Sequence, residues 1–368
     1  MENRLFVFSP CGTSLLTNQA AQEERGLVSK YANAKYIQDI PPEDSLTLRS
    51  LAKRVEEKLA SADLELASKM SAELNGIIKL YNGKLEKKAD THFLLCTDTW
   101  LGEQTTTLVE FWLRKRGFIV EIIPVTDLQT KDIESFQIAL SDMVKWFEDT
   151  IPKYRDSQYK IIFNLTGGFK SVQGFLQTLA TFYADETIYI FETAKDLLRI
   201  PKLPVKMVVE DSVRDHLQVF RRLANKMKTA DVSGVPETLL MTVGGEVSLS
   251  PWGDLVWRRT NKEIYGERLH ASPSEMLSYG PRFEGSLKGI SGDRLVLINE
   301  RIDQLARNLE SGGKCNVSSL DLKALKGNPR PPSTHEIDAW SDGDAKRIFG
   351  HFESGNHFVL DKLDSGLH

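Results

Sequence analysis

Short runs of β-branched and aromatic residues alternate with longer amphipathic stretches through the first 200 residues. Runs at 5–8, 93–96, 118–123, 159–163 and 187–191 predict buried strands, the last one ending at Glu192. Between them, 43–58, 62–81, 105–115 and 136–150 carry Leu, Ala, Glu and Lys at helical spacing, with Pro41-Pro42 at the entrance of the first pair. This alternation predicts a mostly parallel sheet with helices on both faces, a Rossmann-like α/β arrangement.

After residue 202 the texture changes. A basic helix is predicted over 212–228: between Arg199 and Lys228 there are eight Lys or Arg against three acids. Thr238-Leu-Leu-Met-Thr-Val243, Gly244-Gly245 and Glu246-Val-Ser-Leu-Ser250 then read as a hairpin, followed by Pro251-Trp252 and a helix over 253–265. Helices with a small hairpin suggest a winged-helix module. The tail, 282–368, reads as a small α+β domain. Its helix spans 294–309, with Leu295, Ile298, Ile302, Leu305 and Leu309 in phase, and strands are predicted at 334–339, 346–352 and 357–363. The expected domains are therefore 1–203, 204–279 and 280–368.

Composition narrows the class. Hydrophobic residues at 41% and charged ones at 27% are those of an ordinary globular protein. A net charge of −4 excludes a uniformly basic nucleic-acid coat but leaves room for local patches. Cys11, Cys96 and Cys315 are few and scattered, so neither a disulfide framework nor a zinc cluster is implied. No apolar run reaches the ~18 residues of a membrane span. The first residues lack a signal peptide's basic start and apolar core, which makes the cytoplasm the expected compartment.

Three polar turns follow predicted strands, and in open parallel sheets that edge is where ligands bind. They are Ser9-Pro10-Cys11-Gly12-Thr13-Ser14, Thr97-Asp98-Thr99-Trp100 and Asn164-Leu-Thr166-Gly167-Gly168-Phe169-Lys170. In the third, a strand passes through paired glycines into a helix start, which leaves backbone N–H groups without partners beside a lysine; an anion, most simply phosphate, is the expected guest. A Walker A loop is excluded, because Phe169 and Asn164 stand where that motif needs glycine. The first turn lacks G-x-G-x-x-G, which disfavours NAD. A helix-start turn that merely satisfies packing is the competing interpretation.

Ser9-Pro-Cys-Gly-Thr-Ser-Leu-Leu-Thr-Asn18 and Asn164-Leu-Thr-Gly-Gly-Phe-Lys170 together resemble the CARF domain, the CRISPR-associated Rossmann-like sensor of type III systems. The resemblance implies a homodimer that binds a cyclic oligoadenylate, with cyclic tetra-adenylate as activator. Backbone N–H groups at 12–14 and 167–169 would hold phosphates and Lys170 would neutralise charge. Thr13, Asn164 and Thr166 are candidates for ribose or base contacts, Trp100 for stacking on adenine or for plain helix packing. Separately, Phe283-Glu-Gly-Ser-Leu-Lys-Gly289, Asn299-Glu-Arg-Ile-Asp303, Leu325-Lys-Gly327 and Lys346-Arg347-Ile-Phe349 resemble the RelE family of ribosome-dependent mRNA interferases. Sensor, winged helix and RelE-like tail together resemble the CRISPR-associated mRNA interferases.

That second resemblance implies metal-independent RNA cleavage on the ribosome, in which an RNA 2′-OH attacks the adjacent phosphate and cationic side chains stabilise the transition state. Lys323, Lys326, Arg330 and Arg347 are the candidate cations, with Arg347 the expected clamp and Lys323 and Lys326 the expected RNA grips, and His335, His351 or His368 are the proton-transfer candidates. The tail departs from the family in its net charge, eleven Lys or Arg against thirteen acids over 283–368, and in Thr334-His-Glu-Ile-Asp338 where many members place an Arg-Leu-Arg strand. Two other functions stay open. One is a cyclic-oligoadenylate-responsive transcription regulator that contacts DNA through Arg258, Arg259 and Lys262, although Glu263 and Glu267 intersperse that face and suggest a dimerisation and coupling module instead. The other is a ring nuclease that degrades its own activator.

Overall fold

The computed structural model describes residues 4–85, 89–128, 132–191, 196–204, 210–229, 231–327, 330–353 and 356–366. The chain divides into two compact units, Met1–Lys206 and Met207–His368. Among the described residues, no helix is long and apolar enough to cross a membrane.

The first unit runs β1 (Leu5–Pro10), α1 (Ser14–Thr17), α2 (Gln22–Lys30), α3 (Pro42–Ala60), α4 (Leu64–Met70), α5 (Ala72–Leu80), β2 (Thr91–Thr97) and α6 (Trp100–Arg114). It continues with β3 (Ile119–Val125), α7 (Ile133–Asp156), β4 (Lys160–Asn164), α8 (Lys170–Tyr183), β5 (Glu186–Tyr189) and β6 (Leu198–Pro201). The sheet order is β3-β2-β1-β4-β5-β6, parallel except for β6, so the expected parallel α/β sheet is found. Alternation along β1 shows why both faces are apolar. Val7 enters the cluster formed with α3, α5 and α6, while Phe6 stacks on Phe93 at 4.4 Å and Phe8 meets Phe147 edge-on at 5.0 Å. The chain runs outward from β1 through β2 to β3 and then returns to place β4 on the other side of β1, so the strand order reverses between β1 and β4, the position at whose carboxyl edge open parallel sheets bind ligands.

Two helices expected as continuous are broken. The stretch 62–81 is α4 and α5, separated at Ser71, whose extended backbone (φ −134°, ψ 132°) lets its hydroxyl accept from the Leu74 amide at 3.2 Å. The stretch 212–228 is α9 (Glu210–Asp215) and α10 (Leu217–Ala224), interrupted at His216. α6 also begins five residues earlier than expected: Trp100 lies inside the helix, capped by Thr99. The strand expected over 187–191 is β5, which ends at Tyr189; Glu192 lies outside the described residues.

The second unit continues with β7 (Leu240–Val243), β8 (Glu246–Leu249), α11 (Pro251–Glu267), β9 (Leu277–Tyr279), α12 (Phe283–Ser286) and α13 (Gly292–Glu310). It closes with β10 (Lys323–Ala324), β11 (His335–Trp340), β12 (Lys346–Phe352) and β13 (Phe358–Ser365). β7 and β8 form the expected hairpin across Gly244-Gly245. The tail is the expected helix followed by an antiparallel meander, in the sheet order β10-β11-β12-β13-β9. β9, which the sequence did not suggest, adds a parallel edge to β13. Ile298, Ile302 and Leu305 of α13 pack on Ile337, Ile348 and Leu360 of the sheet. Behind them, Arg221 of α10 is fully buried, with its Nε 2.9 Å from Asp303 of α13 and 3.1 Å from the Tyr265 hydroxyl of α11.

Candidate functional site

The β1 and β4 turns lie side by side, because their strands are hydrogen-bonded neighbours. Gly168 stands at φ +104°, and a Cβ there would come within 2.8 Å of the Pro10 ring, so the β4 turn can close over β1 only with glycine. Asn164 is fully buried and ties three segments together: its Nδ2 donates to Ser9 Oγ at 3.2 Å and to the Glu73 carbonyl at 3.1 Å, and its Oδ1 accepts from the Thr166 amide at 3.4 Å.

The crevice between the turns already holds an anion. Glu73, in the first turn of α5, is fully buried, and its Oε1 accepts from the amides of Gly12 (2.9 Å) and Gly168 (3.2 Å). Its Oε2 accepts from the hydroxyls of Ser14 and Ser71, both at 2.7 Å. This corrects the expectation that the Gly12 and Gly168 amides wait for a ligand phosphate: an internal carboxylate uses both. Burial, then the Glu73 charge, push the Cys11 thiol well above its usual range, so Cys11 serves as a small apolar group.

The other expected ligand residues fall around this knot. Thr13 and Phe169 are half-buried, preceding α1 and α8. Asn18 is exposed, and its Nδ2 donates to the Met70 carbonyl at 3.2 Å. Thr166 is half-buried, and its hydroxyl has no partner among the described residues. Lys170 opens α8, but its side chain lies outside the described residues. In the β2 turn the Thr97 and Thr99 hydroxyls lie 2.9 Å apart and Asp98 pairs with Lys35 at 2.8 Å. Trp100 donates its amide to the Ala34 carbonyl at 3.0 Å and packs its half-buried side chain on the core, which is the packing alternative for this residue.

In the tail, Arg347 lies on the sheet face opposite the core residue Ile348. It contacts Asp338, its partner in register on β11, and lies 3.6 Å from Asp321. Lys323 pairs with Asp321 at 2.6 Å and Glu336 at 3.7 Å, so Asp321 brings Lys323 and Arg347 together. Arg330 pairs with Asp364 at 2.7 Å and lies over the Phe349 ring at 4.4 Å. Lys362, then the Ser365 amide and more weakly Arg330, hold the Asp364 carboxyl down at about 2. Lys326 is exposed, and His368 lies outside the described residues. His335 packs edge-on against Phe352 at 5.0 Å, and burial lowers its pKa. His351 is better placed for proton transfer: its Nδ1 is 2.9 Å from Asp361, whose same oxygen accepts from Ser333 at 2.7 Å. Asp361 and Arg330 line a cavity of about 230 Å³ together with Arg282 and Lys362.

The family model described as CRISPR-associated protein (Cas_APE2256) matches residues 68–203. The match supports a CRISPR-associated protein. It takes in Glu73, the β2 turn and the β4 turn, while the β1 turn lies upstream of it. No curated protein matches the chain.

Of the basic residues on α11, Arg258 is half-buried and Arg259 and Lys262 are exposed; Glu263 and Glu267 both bind Arg214 of α9, at 3.2 and 2.8 Å. Sequence reasoning missed Glu73, Asp361 and Asp338. Glu73 left one trace, an acid and a glycine inside an apolar helical pattern. A Cβ at Gly76 would come within 2.2 Å of Asn164 Oδ1, which marks where α5 meets the β4 turn.

Proposed function

We propose that the chain is a cyclic-oligoadenylate-activated, ribosome-dependent endoribonuclease of type III CRISPR defence, with cyclic tetra-adenylate as activator and a homodimer as the binding form. One observation carries the reading: two glycine turns, after β1 and β4, meet at the carboxyl edge where the strand order reverses. A ring with four phosphates and approximate symmetry suits a site repeated by a two-fold axis. The match to a CRISPR-associated family supports the same reading.

In the proposed output, an RNA 2′-oxygen forms a bond to the adjacent phosphorus and the P–O5′ bond breaks, leaving a 2′,3′-cyclic phosphate and a 5′-hydroxyl. Arg347 meets the charge that builds on the phosphorane, with Lys323, Lys326 and Arg330 gripping RNA. His351, oriented through Nδ1 by Asp361, takes the 2′-OH proton at Nε2, and solvent supplies the proton to the 5′-oxygen. The acids beside Arg347 and Lys323 are displaced by phosphate, because partly exposed ion pairs of this kind are worth only about 0–1 kcal/mol.

Those same acids favour a second reading, a cyclic-oligoadenylate-responsive transcription regulator, because they neutralise the cations a nuclease needs. Cell-free translation with and without cyclic tetra-adenylate separates the two. Messenger cuts that appear only with the ring and only in translated codons support the nuclease. Unbroken messenger under both conditions leaves the regulator.

A further inference from the structure

Glu73 reaches both ligand turns at once. Each carboxylate oxygen takes two donors, one set being the Gly12 and Gly168 amides and the other the Ser14 and Ser71 hydroxyls. Its seat is tight, since a Cβ on Gly167 would come within 2.2 Å of Oε1. With both oxygens saturated, no unmet hydrogen-bonding demand drives the carboxylate out when a ligand arrives. A ring phosphate therefore does not replace it, and the remaining groups of the two turns are left to meet the ring.

The charge has a second consequence. α8 begins at this crevice with no side-chain cap and no acid in its first turn, so its positive end faces the site. Glu73 is the opposing charge beneath it. We propose that Glu73 is a positioning residue that locks the two turns into one rigid unit and, through its charge, holds down the crevice's affinity for phosphate. This rests on the reading of the crevice as a cyclic oligonucleotide site. Unit charges about 7 Å apart, at effective dielectrics of ~40 to ~80, change an equilibrium about three- to sevenfold.

The test is titration calorimetry of the full chain with cyclic tetra-adenylate at fixed salt, with thermal melts to confirm folding. Glu73→Gln keeps the shape, since its carbonyl accepts from the two amides and its NH2 donates to the two hydroxyls; it is expected to bind about three- to sevenfold tighter. Glu73→Asp keeps the charge but loses reach to the turns, and is expected to bind at least about tenfold weaker. Binding by the Gln variant equal to or weaker than wild type overturns the inference. Should the Gln variant not fold, Ser71→Ala removes one of the carboxylate's donors while leaving its charge. It is expected to bind about two- to fivefold weaker, and unchanged affinity there overturns the inference. No heat from the wild-type chain overturns the functional reading and this inference with it; heat from wild type without the Gln gain overturns this inference alone.

Discussion

The two candidate sites handle charge in opposite ways. In the first unit a single carboxylate, Glu73, is fully buried and saturated by four donors from three segments. In the second, Lys323, Arg330 and Arg347 lie on a partly open sheet face, each leaning on an acid. A buried, satisfied charge is costly to disturb and fixes geometry. Half-exposed pairs contribute little and rearrange when a stronger partner arrives. The first region is built to hold a shape and the second to exchange partners, which suits a sensor and an output respectively.

The largest effect expected from breaking this contrast is at Glu73. Replacing it with Ala strands two buried amides and two hydroxyls and is expected to cost about 3 kcal/mol in urea unfolding of the first unit. A loss below about 1 kcal/mol would show that the knot is not structural. Gly167→Ala attacks the same place by steric means and is expected to cost about 2 kcal/mol, read as a drop in the urea midpoint.

A pH series sharpens the buried side of the comparison. His92 is fully buried against the Tyr81 hydroxyl at 3.1 Å, and burial pushes its pKa down to about 3. Below about pH 6.5 the unfolded chain takes up a proton that the folded unit refuses until near pH 3. Its contribution is therefore present above pH 6.5 and lost as pH falls, by about 1.4 kcal/mol per unit. Urea midpoints at pH 7.5 and 5.5 should diverge in the wild type and draw together in His92→Gln; equal divergence in both would reject His92 as the source.

On the open side the expected stability change is smallest. Arg347→Ala should shift unfolding by less than about 1 kcal/mol while abolishing activator-dependent RNA cleavage and leaving ring binding intact. Full cleavage by that variant would remove Arg347 from the reaction.

What was legible in the sequence follows how local each feature is. The strands that became β1, β2, β4 and β12 announce themselves as apolar runs, and the Gly244-Gly245 hairpin through its turn residues. The three polar turns were recognisable because glycine, Asn and Thr cluster after strands. The break at Ser71 was not, since Leu66, Met70, Leu74 and Ile77 keep helical spacing straight across it. At that break the Ser71 hydroxyl caps α5 and donates to Glu73, contacts that periodicity does not show. β9 is three residues long and pairs with β13 some eighty residues later, too short and too distant for periodicity to show. The contact of Arg347 with Asp338 depends on strand register, which a one-residue slip would reverse.

Titration calorimetry of the wild-type full chain with cyclic tetra-adenylate meets the central claim head-on. The account predicts saturable heat with one ring bound per two chains, lost when Gly167→Ala disturbs the β4 turn. Heat absent for the wild type at any ring concentration tested would contradict it.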